Sequence, residues 1–305
     1  MSAPLASWND TPTKTAIVDF VQRTTTEGSA DYLAPNDRIA VFDNDGTLWT
    51  EQPAYNQLLF AIDRLKALAP DHPEWKDDPA LGAILSGDMA AFGKTGMKGI
   101  FTLVAATHAG ISTEDFGKIV RDWIATAKHP VYKRPYPATP FEPMLELLDY
   151  LRANGYITFI VSGGGVEFMR AFTQEAYGVP PQQVIGSTGK TEFKVVDGAP
   201  VLVKLPELDA INDGPGKPVG IDKFLGRRPV MAFGNSDGDL EMLQYTAAGD
   251  GARFMALVHH DDAEREAAYD KGSPIGALDK ALTEANERGW TVISMKDDWN
   301  SIFPD

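Results

Sequence analysis

A four-residue apolar run, Ile39-Ala40-Val41-Phe42, stops at Asp43-Asn44-Asp45-Gly46-Thr47. A run that short, bounded by Asp and Gly, predicts a strand buried on both faces, the kind found in parallel sheets covered by helices. In such open α/β sheets ligands bind at the carboxyl ends of the strands. Side chains alternate along extended backbone, so Asp43 and Asp45 are expected to point the same way into one crevice, with Asn44 pointing elsewhere. Two like charges that close are costly unless a cation or a shared proton relieves them. The pair therefore asks for a metal, a proton-transfer task, or both.

The remaining pattern extends this sheet. Asn9 or Thr11 is suited to cap a first helix over residues 14–22. From 53 to about 130 the apolar residues recur at helical spacing with no strand signal, through Leu58, Ile62 and Leu65 to Phe116, Val120 and Ile124. Pro130, Pro135, Pro137 and Pro140 then mark a hinge back to the core. Strands are expected at 157–161, 230–233 and 254–258, a helix at 166–177, and a hairpin over 188–205 around Asp197-Gly198. The expected fold is a Rossmann-like α/β doubly wound parallel sheet, with a helical cap inserted after the first strand motif. Its core would comprise residues 1–49 and 137–305, and the cap residues 50–136.

Composition narrows the function. Lys and Arg total 28 against 43 Asp and Glu, and the net charge of −15 argues against nucleic-acid and anionic membrane partners. No apolar stretch is long enough to span a bilayer. The absence of cysteine excludes disulfides, thiolate metal sites and a cysteine nucleophile. Met1 is followed by no basic-then-apolar leader, which reads as cytoplasmic as written, while residues 2–9 equally suit the start of an exported mature chain.

Each core strand ends in polar punctuation. After the Asp43 strand come Ser162-Gly163-Gly164-Gly165 and then Asn235-Ser236-Asp237-Gly238-Asp239. A Ser hydroxyl and Gly amides before a helix offer donors to an anion. The Asn and Asp oxygens suit Mg2+, a hard cation that keeps several waters. Lys217 is placed to neutralise an anion as a point charge, with Lys223 a near alternative.

In this order the four motifs resemble those of the haloacid dehalogenase superfamily, and the Ser-Gly-Gly context and helical insert resemble its phosphoserine-phosphatase-like branch. The resemblance runs from about 39 to 243. It implies a Mg2+-dependent phosphomonoesterase acting on a small phosphorylated metabolite. Asp43 would be the nucleophile that becomes an aspartyl phosphate, and Asp45 the general acid/base. Thr47, Ser162, Gly163 and Lys217 would hold the phosphoryl oxygens, and Asp43, Asp45 through its main-chain carbonyl, Asn235 and Asp239 the Mg2+. Dehalogenases of the superfamily lack the second Asp, and its ATPases carry Lys where Asn44 stands. Asn235 departs from the Asp usual at that position, so it supplies an oxygen without a charge; Asp239 ranks above Asp237 as the second member of the metal site.

The same core admits other readings: phosphonate hydrolysis, which would need Lys94 or Lys98 in the insert, phosphoryl transfer, or a catalytically weak phosphate- or Mg2+-binding protein. Trp49 and Tyr55 line the substrate pocket or pack the cap. Glu51, Lys94 and Lys98 read mainly as solvated helix charges. Arg64 and Arg121, the arginines of the insert, lie within helical patterns and give no clear carboxylate-binding site. In His259-His260-Asp261-Asp262 the histidines point apart, which argues against a metal site and leaves Asp262 as a helix cap. The substrate and oligomeric state stay open.

Overall fold

The pairing of the Asp43 strand explains its apolar character. The structure is a computed structural model describing residues 4–304; residues 1–3 and 305, including the start of the 2–9 segment, lie outside the described residues. Its strands are β1 (Ile39–Phe42), β2 (Ile157–Gly165), β3 (Val184–Val196), β4 (Ala199–Ala210), β5 (Met231–Gly234), β6 (Phe254–His259) and β7 (Thr291–Ser294). They form one sheet in the order β4-β3-β2-β1-β5-β6-β7. β1 lies inside it, parallel to β2 on one side and β5 on the other. β4 alone runs antiparallel, to β3.

Alternate residues of β1 serve opposite faces. Ala40 and Phe42 join the cluster that includes Ile17, Phe20, Met144 and Leu148, from the helices Pro12–Thr25 and Glu142–Ala153. Ile39 and Val41 join Ile221, Met242, Leu243 and Ala281, from Gly216–Leu225, Leu240–Ala247 and Lys280–Arg288. Phe42 stacks on Phe233 of β5 with ring centroids 4.6 Å apart. Thr11 caps the first helix, accepting from the Lys14 amide.

Three local expectations need correction. The 166–177 helix divides into Val166–Arg170 and Thr173–Tyr177, and the Phe172 ring between them stacks on Trp49. β7 is not among the expected strands: its Thr291-Val292-Ile293-Ser294 holds only two apolar residues, not the continuous run that marks β1. Asp262 accepts from the amides of Glu264 and Arg265, but it caps a turn rather than a helix.

The insert carries the helices Asn56–Leu68, Pro79–Ser86, Met89–Lys94, Gly96–His108 and Thr113–Thr126. Leu65, Leu81, Ile84, Phe92 and Leu103 form its own apolar cluster. Phe60, Phe116 and Val120 instead face the main core, so the insert is anchored by aromatic packing. The β3–β4 hairpin turns at Asp197 and Gly198, both at positive φ, the geometry a tight hairpin needs. Farther along, Lys204 exchanges main-chain bonds with Gly110 and Ile111 at 2.9 Å each, tying β4 to the insert. Among the described residues no helix is long and apolar enough to cross a membrane.

Candidate active site

The carboxyl ends of β2, β1 and β5 stand side by side because Phe42 is in register with Ile160 and Phe233. Asp43 follows Phe42 directly, and its amide donates to the Phe233 carbonyl at 2.9 Å. Lys217, on the helix that packs against β2 and β3, reaches this edge from below. Its ammonium donates to Asp43 Oδ1 at 2.7 Å and also to Asp239 Oδ1, with the lysine only 2 % exposed. Lys223 lies elsewhere, exposed beside Phe224.

Asp239 has a second task. Its Oδ2 accepts from the amides of Asn235 and Ser236 at 2.9 and 3.0 Å, folding the loop after β5 around itself. Asp237 turns away and accepts from the amides of Asp279 and Ala281. Gly46, at φ 77°, carries the chain through the turn after Asp45. Beyond that turn Trp49 returns its Nε1–H to Asp45 Oδ1 at 2.8 Å. Trp49 is also buried against Phe172, so it both packs and orients the acid. Thr47 donates to Asn235 Oδ1 at 3.1 Å, and Ser162 Oγ accepts from the Gly164 amide at 3.1 Å. Gly163 faces Asp213 closely enough that an added Cβ would meet its carboxylate at 3.2 Å.

The electrostatics follow from burial. Desolvation, with Asp239 repelling, pushes Asp43 up to about 8 although Lys217 opposes the rise. Desolvation also raises Asp45, against the Trp49 hydrogen bond, and holds Glu51 well above the usual carboxylate range. Burial alone would lower Lys217, but Asp239 and Asp43 outweigh it and keep the ammonium protonated. The crevice is therefore short of positive charge, a condition that a bound cation relieves.

Among the described residues no three His, Cys, Asp or Glu side chains form a ready-made metal cage. Mg2+ does not require one, since it binds through one or two carboxylates and keeps its waters. The oxygens near Asp43, namely its own carboxylate, the Asp45 carbonyl and the Asn235 amide, fit such a hard cation in type. Asp239, expected in the same set, is engaged by Lys217 and by the Asn235 and Ser236 amides, contacts that fold the loop.

The structure places several residues differently from the sequence expectation. Glu51 is no solvated charge: it is 2 % exposed, and its Oε1 accepts from Asn235 Nδ2 and from Tyr269 Oη, both at 2.8 Å. His260 is buried, with Nε2 donating to the Gly46 carbonyl at 2.7 Å and Nδ1 facing Glu266 at 3.0 Å. It stands just past β6, so the strand-end rule extended to one more strand would have singled it out. Gln57 of the insert accepts from the Gly165 amide at 2.7 Å, bringing the first insert helix to the crevice. Lys94, Lys98 and Arg121 are exposed, Tyr55 is partly so, and Arg64 donates to the Thr107 carbonyl within the insert.

Comparisons with known proteins agree with this architecture. A family model described as haloacid dehalogenase-like hydrolase matches residues 40–244. No curated protein matches. Among solved structures, a conserved, functionally unknown protein from Anaerococcus prevotii is 14% identical over 92% of this chain and 90% of its own, with a TM-score of 0.56. A protein of unknown function from Bordetella pertussis is 16% identical over 84% of this chain and 97% of its own, with a TM-score of 0.50. At such identities the likeness is one of fold.

Proposed function

The chain belongs to the haloacid dehalogenase-like hydrolase family, and on that premise we propose that it is a Mg2+-dependent phosphomonoesterase acting on a small phosphorylated metabolite. The observation that carries this reading is the pairing of Asp43, held by Lys217, with Asp45, held by Trp49, at one sheet edge. A lone nucleophilic carboxylate would serve other chemistry; a second acid supplies the proton that an alkoxide leaving group needs.

Asp43 attacks phosphorus in line, forming the P–O bond of an aspartyl phosphate as the bond to the leaving oxygen breaks. Asp45 gives that oxygen its proton, and burial raises its affinity for that proton, as a general acid requires. The ionised Asp45 then takes a proton from the water that attacks phosphorus and regenerates Asp43. Thr47, Ser162, the Gly163 amide and Lys217 steady the equatorial oxygens by hydrogen bonds and charge. Mg2+, held by Asp43, the Asp45 carbonyl and Asn235 on the loop that Asp239 folds, would supply charge neutralisation between nucleophile and phosphate.

We assign residues 50–136 to a cap that excludes water and filters substrates, and residues 1–49 and 137–305 to the core. Gln57 on Gly165 supports this, because the contact joins the insert to the phosphate-binding loop. The test is phosphate release from a generic aryl phosphate by the intact chain, with and without Mg2+, at mildly acidic to neutral pH. Metal-dependent release that disappears in Asp43→Asn is expected. No metal-dependent release, or full turnover by Asp43→Asn, refutes the proposal.

A further inference from the structure

Glu51 is a buried carboxylate that forms no ion pair among the described residues. Its Oε1 is held by two neutral donors, Asn235 Nδ2 and Tyr269 Oη. A carboxylate so fully buried, with only neutral donors on it, is kept by a fold for the hydrogen bonds it makes or for a charge placed nearby. The space around it is shaped for this carboxylate. An added Cβ at Gly46 would meet Asn235 Nδ2 at 2.1 Å and Glu51 Oε1 at 2.5 Å, and one at Gly276 would meet Glu51 Oε1 at 1.9 Å. Two glycines far apart in the chain therefore leave room for one side chain.

The hydrogen bond also decides how Asn235 is turned. With Nδ2 committed to Glu51, Oδ1 faces the opposite side and accepts from Thr47 Oγ1 at 3.1 Å. An amide free to flip would exchange its donor and acceptor; this one is held with its oxygen on the Thr47 side.

We propose that Glu51 is a positioning residue of the Mg2+ site: by accepting from Asn235 Nδ2 it fixes which way that amide presents its oxygen, and it sets a carboxyl group directly behind the neutral ligand. The carboxylate and carboxamide together replace a single Asp. Tyr269 and Gly276, from the chain beyond β6, hold Glu51 in place and so become part of the metal site's support. The inference rests on the Mg2+ site of the proposed phosphatase.

The experiment is calorimetric titration of Mg2+ alone into the full chain, comparing the unaltered protein, Glu51→Gln and Glu51→Gln/Asn235→Asp. Gln keeps the shape and an acceptor oxygen, so the fold is expected to persist, which a melting curve without metal verifies. Loss of a supporting carboxylate weakens metal affinity about 10–100-fold, and Glu51→Gln is expected to fall in that range. Adding Asn235→Asp returns the charge to the site and should recover most of the loss. A merely structural Glu51 lowers the melting temperature and leaves Mg2+ affinity unchanged, which overturns the inference; so does a loss that Asn235→Asp fails to reverse. If the unaltered chain takes up no Mg2+, the metal-dependent phosphatase falls together with this role, whereas Mg2+ uptake indifferent to Glu51 overturns the role alone.

Discussion

Replacing Lys217 by Met removes the ammonium that separates Asp43 from Asp239 and keeps most of the side-chain volume. Both carboxylates are buried, Asp43 6 % and Asp239 0 % exposed, so neither can turn to water for compensation. Breaking a buried ion pair by removing one partner costs about 3–5 kcal/mol. For a chain of this size that corresponds to roughly 2 °C in melting temperature per kcal/mol, or about 6–10 °C in all. The loss has a defined pH dependence. Asp43 has a folded pKa of about 8 against an ordinary 3.8, so the native state binds its proton more tightly than the unfolded chain. Its contribution therefore falls as pH rises through that window and is recovered on acidification. Lys217 attracts these acids only when they are ionised. The deficit of Lys217→Met should accordingly be largest near pH 8 and shrink toward pH 4, where Asp43 is protonated and no longer attracts the ammonium. Metal-free thermal unfolding of both proteins at several pH values measures this. Equal melting temperatures at pH 8, or a deficit that grows on acidification, would refute the argument.

Other outcomes follow from the same geometry. Asp45→Asn should slow turnover by about 10²–10⁴ and let phosphoenzyme accumulate when the leaving group is a good one, as intact-protein mass spectrometry would reveal; unchanged rates with no trapped phosphate contradict its role. Gly46→Ala forces a left-handed backbone on a residue with Cβ, at about 1–2 kcal/mol, and pushes apart Asn235 and Glu51, so both stability and Mg2+ affinity should drop; a variant indistinguishable from the parent in melting and metal titration would show the turn to be more compliant than its contacts indicate. Mg2+ must displace a proton from Asp43 below pH 8, so its apparent affinity should rise with pH up to about 8 and binding at pH 7 should release protons. Calorimetry in buffers of different ionisation enthalpy detects that release, and buffer-independent heats would count against it.

Much of the framework was legible because it is local. The strands around Asp43, Ser162 and Asn235 are short apolar runs that end in small polar residues, and the Asp197-Gly198 turn carries its own φ requirement. β7, with only Val292 and Ile293 apolar, leaves no such trace, and the break before Phe172 comes with a long-range stacking contact to Trp49. In the sequence Glu51 looks like a solvated charge, because polar residues flank it at Thr50 and Gln52. What buries it are Asn235 and Tyr269, 184 and 218 positions away.

The sequence by itself determined which oxygens, hydroxyls and amides end the central strands, since hydrophobic periodicity places the strands and side-chain alternation sets Asp43 beside Asp45. It thereby determined the kind of chemistry available. Only the tertiary structure decided the charge state of that chemistry. Desolvation raises Asp43 against the pull of Lys217, Trp49 orients Asp45, and the fold brings Glu51 onto Asn235. These are properties of an environment assembled from distant segments, and electrostatic energy depends on how much water that assembly removes.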